Sequence, residues 1–403
     1  MKIKLNSNNV SQYLLEVNIF EKQDIELINI QPKCSQGSNN FIFLTMQILN
    51  GQQLFIKQDY HYLDKQTNII TREWRLHKFL QSLQKLAKIS SLLVEIIHFD
   101  HINSILISKE SDNYINLESY YKKYKIFPLA IAELVGTTLA KLHSETLNCQ
   151  NCYDFMNQEA VDGKYYYQFP YPSYLLDRLE PETLIKEFPP EGNRFMAFYH
   201  NSESFKSTVK ELVVTHNHYC LTHNGYELNN ILIPRSGEVI LSKIEKSDER
   251  IIRLINWDKC SWGDPAFDVG TAIADYLLLW LGSLIIRSTI KLEESLKLAI
   301  IPLEAIQPSV VTLTSFYISS FPKVLEEFPD FLSRVVKFTG LALLYRVIAR
   351  IQSFEGFAHR EICILQLANS LLCQPEKSFS SIFGMTEVAF NELISFSKVN
   401  NNF

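Results

Sequence analysis

The spacing of apolar residues changes near residue 115, and this change restricts the possible folds more than any other feature of the chain. Before it, apolar residues come in short runs. FIFLTMQIL (41–49) and QQLFIKQ (52–58) flank Asn50-Gly51, a pair that tolerates the positive φ of a tight turn and so predicts a hairpin. LVEIIHFD (93–100) and SILISKE (104–110) predict a second strand pair around a turn at 101–103. One helix interrupts them: in TREWRLHKFLQSLQKL (71–86), Trp74, Leu76, Phe79, Leu80 and Leu83 recur at helical spacing. From about residue 128 helices dominate, beginning with the amphipathic PLAIAELVGTTLAKLHSET, which has proline at its start. Residues 148–200, with KYYYQFPYPSYLL and EFPPEGNRF, read as a loop-rich insertion. The expectation is an α+β chain with a β-rich unit over 1–115 and a hinge near 108–118. A larger helical unit follows over 116–403, with strands returning within 219–270 and helices from about 271 to 403.

At 403 residues the chain is long enough for two cores. A net charge of -5 argues against a general nucleic-acid binder, which needs basic surface to neutralise phosphates. Seven scattered cysteines fit a reducing compartment better than a disulfide framework. MKIKLNSNNV lacks the apolar core of a signal peptide. The longest apolar run, YLLLWLGSLII (276–286), falls far short of the ~20 residues that span a bilayer and predicts a buried helix. These features together imply a cytoplasmic protein without a membrane span.

The residues able to carry chemistry fall in a definite order. A turn of small residues, SQGSNN (35–40), comes first, then Lys57 at a strand end and Glu73 on the helix. YCLTHNGYELNNILI (219–233) places His223 seven residues before Asn230, and INWDKCSWGDPAFDVG (255–270) closes the series. The same order of parts occurs in protein kinases: a loop over the phosphates, a lysine on them, a glutamate that orients the lysine, a catalytic loop and a metal-binding turn. The last segment and IAELVGTTLAKLH (131–143) closely resemble the aminoglycoside phosphotransferase and choline kinase-like family. That family's catalytic loop reads H-G-D-x-x-x-x-N, followed by I-D-W-E and G-D-P-x-x-D.

The resemblance implies a two-lobed protein-kinase-like fold using ATP and Mg²⁺. Carried over by position, Lys57 contacts nucleotide phosphates, Glu73 pairs with it, and Ser38 and Asn39 belong to the phosphate turn. His223 braces the catalytic loop, Asn230, Asn256 and Asp258 fall at metal-site positions, and Asp268 ties the loop to the larger lobe. Two positions depart from the pattern. Gly225 stands where the proton-accepting aspartate belongs, and Asn256 where the principal metal-binding aspartate belongs. SKIEKSDER (242–250) lengthens the segment between them. A missing general base costs about 10² to 10⁴ in rate, and a neutral carboxamide cannot supply the charge that holds Mg²⁺ against phosphates. Glu227 and Asp258, each two residues further on, are the candidate substitutes, with a solvated loop acid as the plain reading of Glu227.

The remaining features are ordinary. CQNC (149–152) reads as a loop pair with neither a redox context nor a second pair of metal ligands. Asp264 with Pro265 reads as a turn and cap, and His101, His143, His216 and His218 show no metal-ligand spacing. The residues favour a catalytically impaired pseudokinase that binds nucleotide or a protein or peptide partner. The alternative is an active phosphotransferase on a small-molecule or peptide hydroxyl. A kinase fold transferring another group, such as a nucleotidyl group, stays open.

Overall fold

The computed structural model describes residues 3–20, 33–36, 41–48, 52–59, 69–111, 113–158, 167, 189–200, 202–215, 218–236, 251–285, 292–352 and 357–400. Short helical turns aside, the chain begins with α1 (Val10–Glu16), β1 (Lys33–Gln36), β2 (Phe41–Ile48), β3 (Gln52–Asp59) and α2 (Ile69–Ser82). Next come β4 (Glu95–Asp100), β5 (Ile105–Ser111), β6 (Tyr114–Asn116), α3 (Leu117–Tyr124), α4 (Leu129–Thr146), α5 (Gln150–Met156), α6 (Pro189–His200) and α7 (Glu203–Val214). After these lie β7 (Cys220–Thr222), β8 (Ile231–Pro234), β9 (Arg253–Leu254), β10 (Ser261–Gly263) and α8 (Pro265–Gly282). The chain ends with α9 (Leu303–Ser320), α10 (Phe331–Gln352), α11 (His359–Cys373), α12 (Pro375–Phe383) and α13 (Glu387–Asn400).

These elements form two compact units. The first comprises Met1–Tyr120, Asn157–Tyr167 and Asn229–Lys259, so the chain returns to it twice after the boundary expected near 115. Its main sheet is antiparallel in the order β1-β2-β3-β5-β4. Strand alternation decides what each face carries. Leu54 and Ile56 of β3 point into a core with Leu44, Met46, Ile105 and Ile107, closed by Val10, Tyr13 and Leu14 of α1. Lys57 therefore lies on the other face. The hairpin pairing of β2 with β3 places Ile48 opposite Gln52, while Asn50-Gly51 lies outside the described residues. The expected hinge segment holds strand: β6 pairs with β8, which pairs with β9.

Helix α2 starts and stops a few residues earlier than its pattern predicts. Its buried face is Ile70, Glu73, Leu76, His77 and Leu80, a helical stripe with two ionisable residues in it. Trp74 instead stacks on Phe99 at 4.7 Å.

The second unit comprises Tyr121–Met156, Gln168–Leu228 and Cys260–Phe403. Its described residues are helical around a two-stranded ribbon, β7 with β10, in which Thr222 faces Ser261. Gly263 is required there, since a Cβ would lie 2.4 Å from Thr222 Oγ1. Asp264 then caps α8 by accepting from the Ala266 amide at 3.0 Å, and Pro265 occupies the first turn, where a missing N–H costs nothing. α8 is buried along nearly its whole length, as the apolar run predicts. Close helix packing surrounds it: a Cβ on Gly136 of α4 would meet Leu313 O of α9 at 2.2 Å. No described helix is long and apolar enough to cross a membrane.

Candidate functional site

In the first unit, the geometry of β3 and α2 brings a lysine to a glutamate. Lys57 Nζ pairs with Glu73 Oε2 and with Asp258 Oδ1, the latter at 3.1 Å. Glu73 Oε1 also accepts from the Trp257 amide at 3.2 Å, and Arg72 donates to the Asp258 carbonyl at 2.7 Å. The helix thus grips the residue-257 turn from two successive positions. Burial alone would push the Lys57 ammonium down, but the Asp258 and Glu73 carboxylates outweigh it and hold the group above the ordinary lysine value. Burial pushes Glu73 up; Lys57 only partly offsets this, and Asp258 adds to it. Asp258 ends below the ordinary aspartate value because Lys57, Lys259 and Arg72 outweigh its burial. Lys57 is therefore a cation shared by two carboxylates, not a solvent-facing strand residue.

One turn beyond Glu73, His77 is 2% exposed, and neither ring nitrogen has a hydrogen-bond partner among the described residues. Burial, followed by the Lys57 charge, pushes it down to about 3, so it is neutral at ordinary pH.

At the turn where the family carries its metal-binding aspartate, Asn256 adopts φ 64° and donates through Nδ2 to Asn230 Oδ1 at 2.6 Å. The Ile255 amide donates to the Asn230 carbonyl at 3.1 Å, fixing the turn beside the 3₁₀ segment at 228–230. Hard divalent ions take oxygen ligands, carboxylates foremost. Here the Asn230 side-chain oxygen accepts an amide N–H from Asn256, and one oxygen of the Asp258 carboxylate is paired with Lys57. Among the described residues there is no cluster of three or more His, Cys, Asp or Glu side chains able to hold a metal.

In the second unit, the loop after β7 is held by one carboxylate. Asp268, on the first turn of α8, accepts from the His223 amide through Oδ2 and from the Asn224 amide through Oδ1, both at 2.7 Å. His143 Nε2 lies 3.2 Å from Oδ2, and His143 Nδ1 lies 2.9 Å from the Tyr317 hydroxyl. The His223 ring is buried edge-on to Tyr226. The left-handed residue of this loop is Asn224, with φ 55°. It occupies the middle of His-Asn-Gly where the family has glycine, and asparagine is among the few other residues that enter this region readily. Its Nδ2 donates to Ser261 Oγ at 2.7 Å, so its side chain also secures the ribbon.

One sequence reading of Glu227 needs correction: it is buried, not a solvated loop acid. Arg346 of α10 pairs with Glu227 Oε2 and with Asp275 Oδ1, each at 2.9 Å, and Asp275 Oδ2 accepts from the Leu228 amide at 2.8 Å. Glu227 thus belongs to a clamp on the end of the loop. Arg346 and Asp275 carry no local motif; their role appears only when α8 and α10 pack. His143 lies inside the helix motif at 131–143, and its carboxylate partner, Asp268, is 125 positions away, beyond any local spacing. Ser38 and Asn39, the 242–250 tip and most of the 148–200 insertion lie outside the described residues.

No family model matches the sequence, and no curated protein matches it. Among solved structures, the chain is similar to an ethanolamine kinase from Plasmodium vivax, with TM-score 0.53 at 12% identity over 93% of this chain and 91% of that one. Choline kinase LicA from Streptococcus pneumoniae gives TM-score 0.47 at 13% identity, over 90% of this chain and 98% of that one. Amicoumacin kinase, solved with AMP-PNP and Ca²⁺, gives 0.47 at 12% identity over 90% and 93%. The first of these likenesses carries the fold assignment. The chain has an α+β, two-lobed kinase-like fold.

Proposed function

We propose that this chain is a pseudokinase: a kinase-fold module that acts by binding nucleotide or a protein or peptide partner, without transferring phosphate. The carrying observation is the Asn256–Asn230 hydrogen bond, which puts two carboxamides in mutual contact where catalysis needs a charged ligand for a divalent ion. Phosphoryl transfer rests on positioning and charge neutralisation, and Gly225 adds the loss of the base. The Lys57–Glu73 pair favours retained nucleotide binding, because it keeps a buried cation at the position that meets phosphates in kinases. The rival reading, an active phosphotransferase using Glu227 and Asp258 as substitutes, has less support. Arg346 matches the first carboxylate and Lys57 the second.

Calorimetric titration with a non-hydrolysable ATP analogue, with and without Mg²⁺, tests this reading. The expected result is binding of equal strength in both conditions and no phosphate release from ATP. Binding strengthened at least about tenfold by Mg²⁺, a shift of about 1.4 kcal/mol, together with turnover that Glu227→Gln abolishes, overturns it. Restoring both family residues, Gly225→Asp with Asn256→Asp, is expected to introduce Mg²⁺-dependent ATP hydrolysis.

A further inference from the structure

CQNC, which as sequence reads as an inert loop pair, is folded as a disulfide-bonded turn. α4 ends at Thr146, and Asn148 takes the left-handed conformation (φ 58°) that commonly closes a helix. That reversal starts α5 at Gln150 and brings Cys149 to within a Cα–Cα distance of 5.2 Å of Cys152, where the two are bonded. The two sulfurs have different access. Cys149 is partly exposed, whereas Cys152 is 0% exposed and faces the core.

We propose that Cys149 and Cys152 form a reversible thiol–disulfide site, with Cys149 as the attacking thiol and Cys152 as the resolving thiol. The oxidant class is a low-molecular-weight disulfide. The Cys149 thiolate attacks one sulfur of that disulfide, forming a mixed disulfide and expelling one thiolate. The Cys152 thiolate then attacks Cys149 Sγ, expelling the second thiolate and closing the internal bond. The protein loses two electrons and two protons, and the small disulfide becomes two thiols. Unequal access sets the order, since exchange begins at the sulfur a partner can reach.

The turn is wired to the ribbon that leads into the His223 loop. The Cys149 amide donates to the Thr146 carbonyl at 3.1 Å, while Thr146 Oγ1 accepts from the Leu221 amide of β7 at 3.1 Å. On α5, the Tyr153 ring meets Trp262 of β10 edge-on at 5.8 Å, and Trp262 lies opposite Leu221. The oxidation state of the pair therefore bears on both strands of the ribbon. This inference does not depend on whether the chain transfers phosphate.

The test equilibrates the full-length protein in reduced and oxidised glutathione and maps thiols by differential alkylation and mass spectrometry. The expected result is interconversion between a dithiol and a Cys149–Cys152 disulfide, accompanied by a change in intrinsic fluorescence that Trp262→Phe removes. Cys152→Ser should accumulate glutathione on Cys149, whereas Cys149→Ser should leave Cys152 at least about tenfold less modified, as burial of a thiol requires. If Cys152→Ser fails to fold, the Cys149→Ser comparison with the unmodified chain stands alone. Thiols that stay alkylatable across the whole titration, or glutathione entering Cys152 as readily as Cys149, overturn the proposal.

Discussion

The Asp268 bracket in the second unit and the Asn230–Asn256 pair in the first are both polar clusters on kinase-like loop segments, but different physical demands hold them. Asp268 is 0% exposed and accepts from two backbone amides, with His143 beside the same carboxylate. Removing it would strand buried donors. Asn256 is partly exposed and neutral, and its side-chain bond to Asn230 joins two carboxamides. The loop after β7 is thus held by a buried carboxylate with several partners, whereas the Asn230–Asn256 contact is a neutral hydrogen bond between partly exposed and buried carboxamides.

The largest expected effect follows directly from this contrast. Asp268→Ala should lose about 3–5 kcal/mol of stability, the range for removing one member of a buried charged cluster. Asn256→Ala should lose less than about 1 kcal/mol, the net worth of one hydrogen bond. Urea unfolding midpoints at equal slope compare the two. Equal losses would mean that the Asn pair is also structural and that the contrast is wrong.

Lys57→Met tests the first unit from the charged side. Glu73 and Asp258 would then face each other without their cation, and a loss of about 3–4 kcal/mol is expected. Nucleotide binding should disappear in the same variant. The combined variant Lys57→Met with Asp258→Asn should recover part of the stability but not the binding, which separates the two roles. Stability contributed by Lys57 is fully present below the ordinary lysine value and is lost as pH rises from there through its raised folded value. That contributed by Asp258 is present above the ordinary aspartate value and is lost as pH falls through its lowered folded value.

His77 gives a smaller, pH-selective effect. Its value falls from 6.5 in the unfolded chain to about 3 in the fold, so between those limits only the unfolded chain binds the proton. Stability from the neutral histidine is thus present above pH 6.5 and lost as pH falls toward 3. The slope contributed is at most about 1.4 kcal/mol per pH unit. His77→Leu keeps the apolar stripe of α2 and should flatten the profile in this window while leaving it unchanged above pH 7. A parallel profile in the variant would mean that His77 does not titrate as its burial demands.

Much of the fold could be read from the sequence because it rests on local periodicity. The β2–β3 hairpin pairing, the buried α8 and its Asp264–Pro265 start follow from alternation, apolar run length and cap chemistry. The ordered motifs also anticipated that Lys57 pairs with Glu73. The partners of Glu227 and Asp258 were not readable. Arg346 reaches Glu227 across 119 positions of sequence, and Lys57 reaches Asp258 across 201. No local spacing encodes such meetings. The Cys149–Cys152 turn was missed for another reason: it depends on Asn148 turning left-handed at the end of α4, a backbone choice that a loop-rich composition conceals.

A finer separation concerns Asn224, where loop shape and side-chain bonding can be told apart. The residue holds φ 55° and donates to Ser261 Oγ. Asn224→Gly removes the side-chain bond but keeps easy access to the left-handed region. Asn224→Ala removes the same bond and adds a Cβ that this region disfavours. Both should lose about 1 kcal/mol for the bond, and alanine about 1 kcal/mol more for the backbone. Thermal or urea unfolding of the two variants side by side measures the difference. Alanine as stable as glycine would mean that the loop relaxes out of its left-handed turn. The Asp268 bracket would then fix the positions of two amides without fixing the conformation of the loop between β7 and α8.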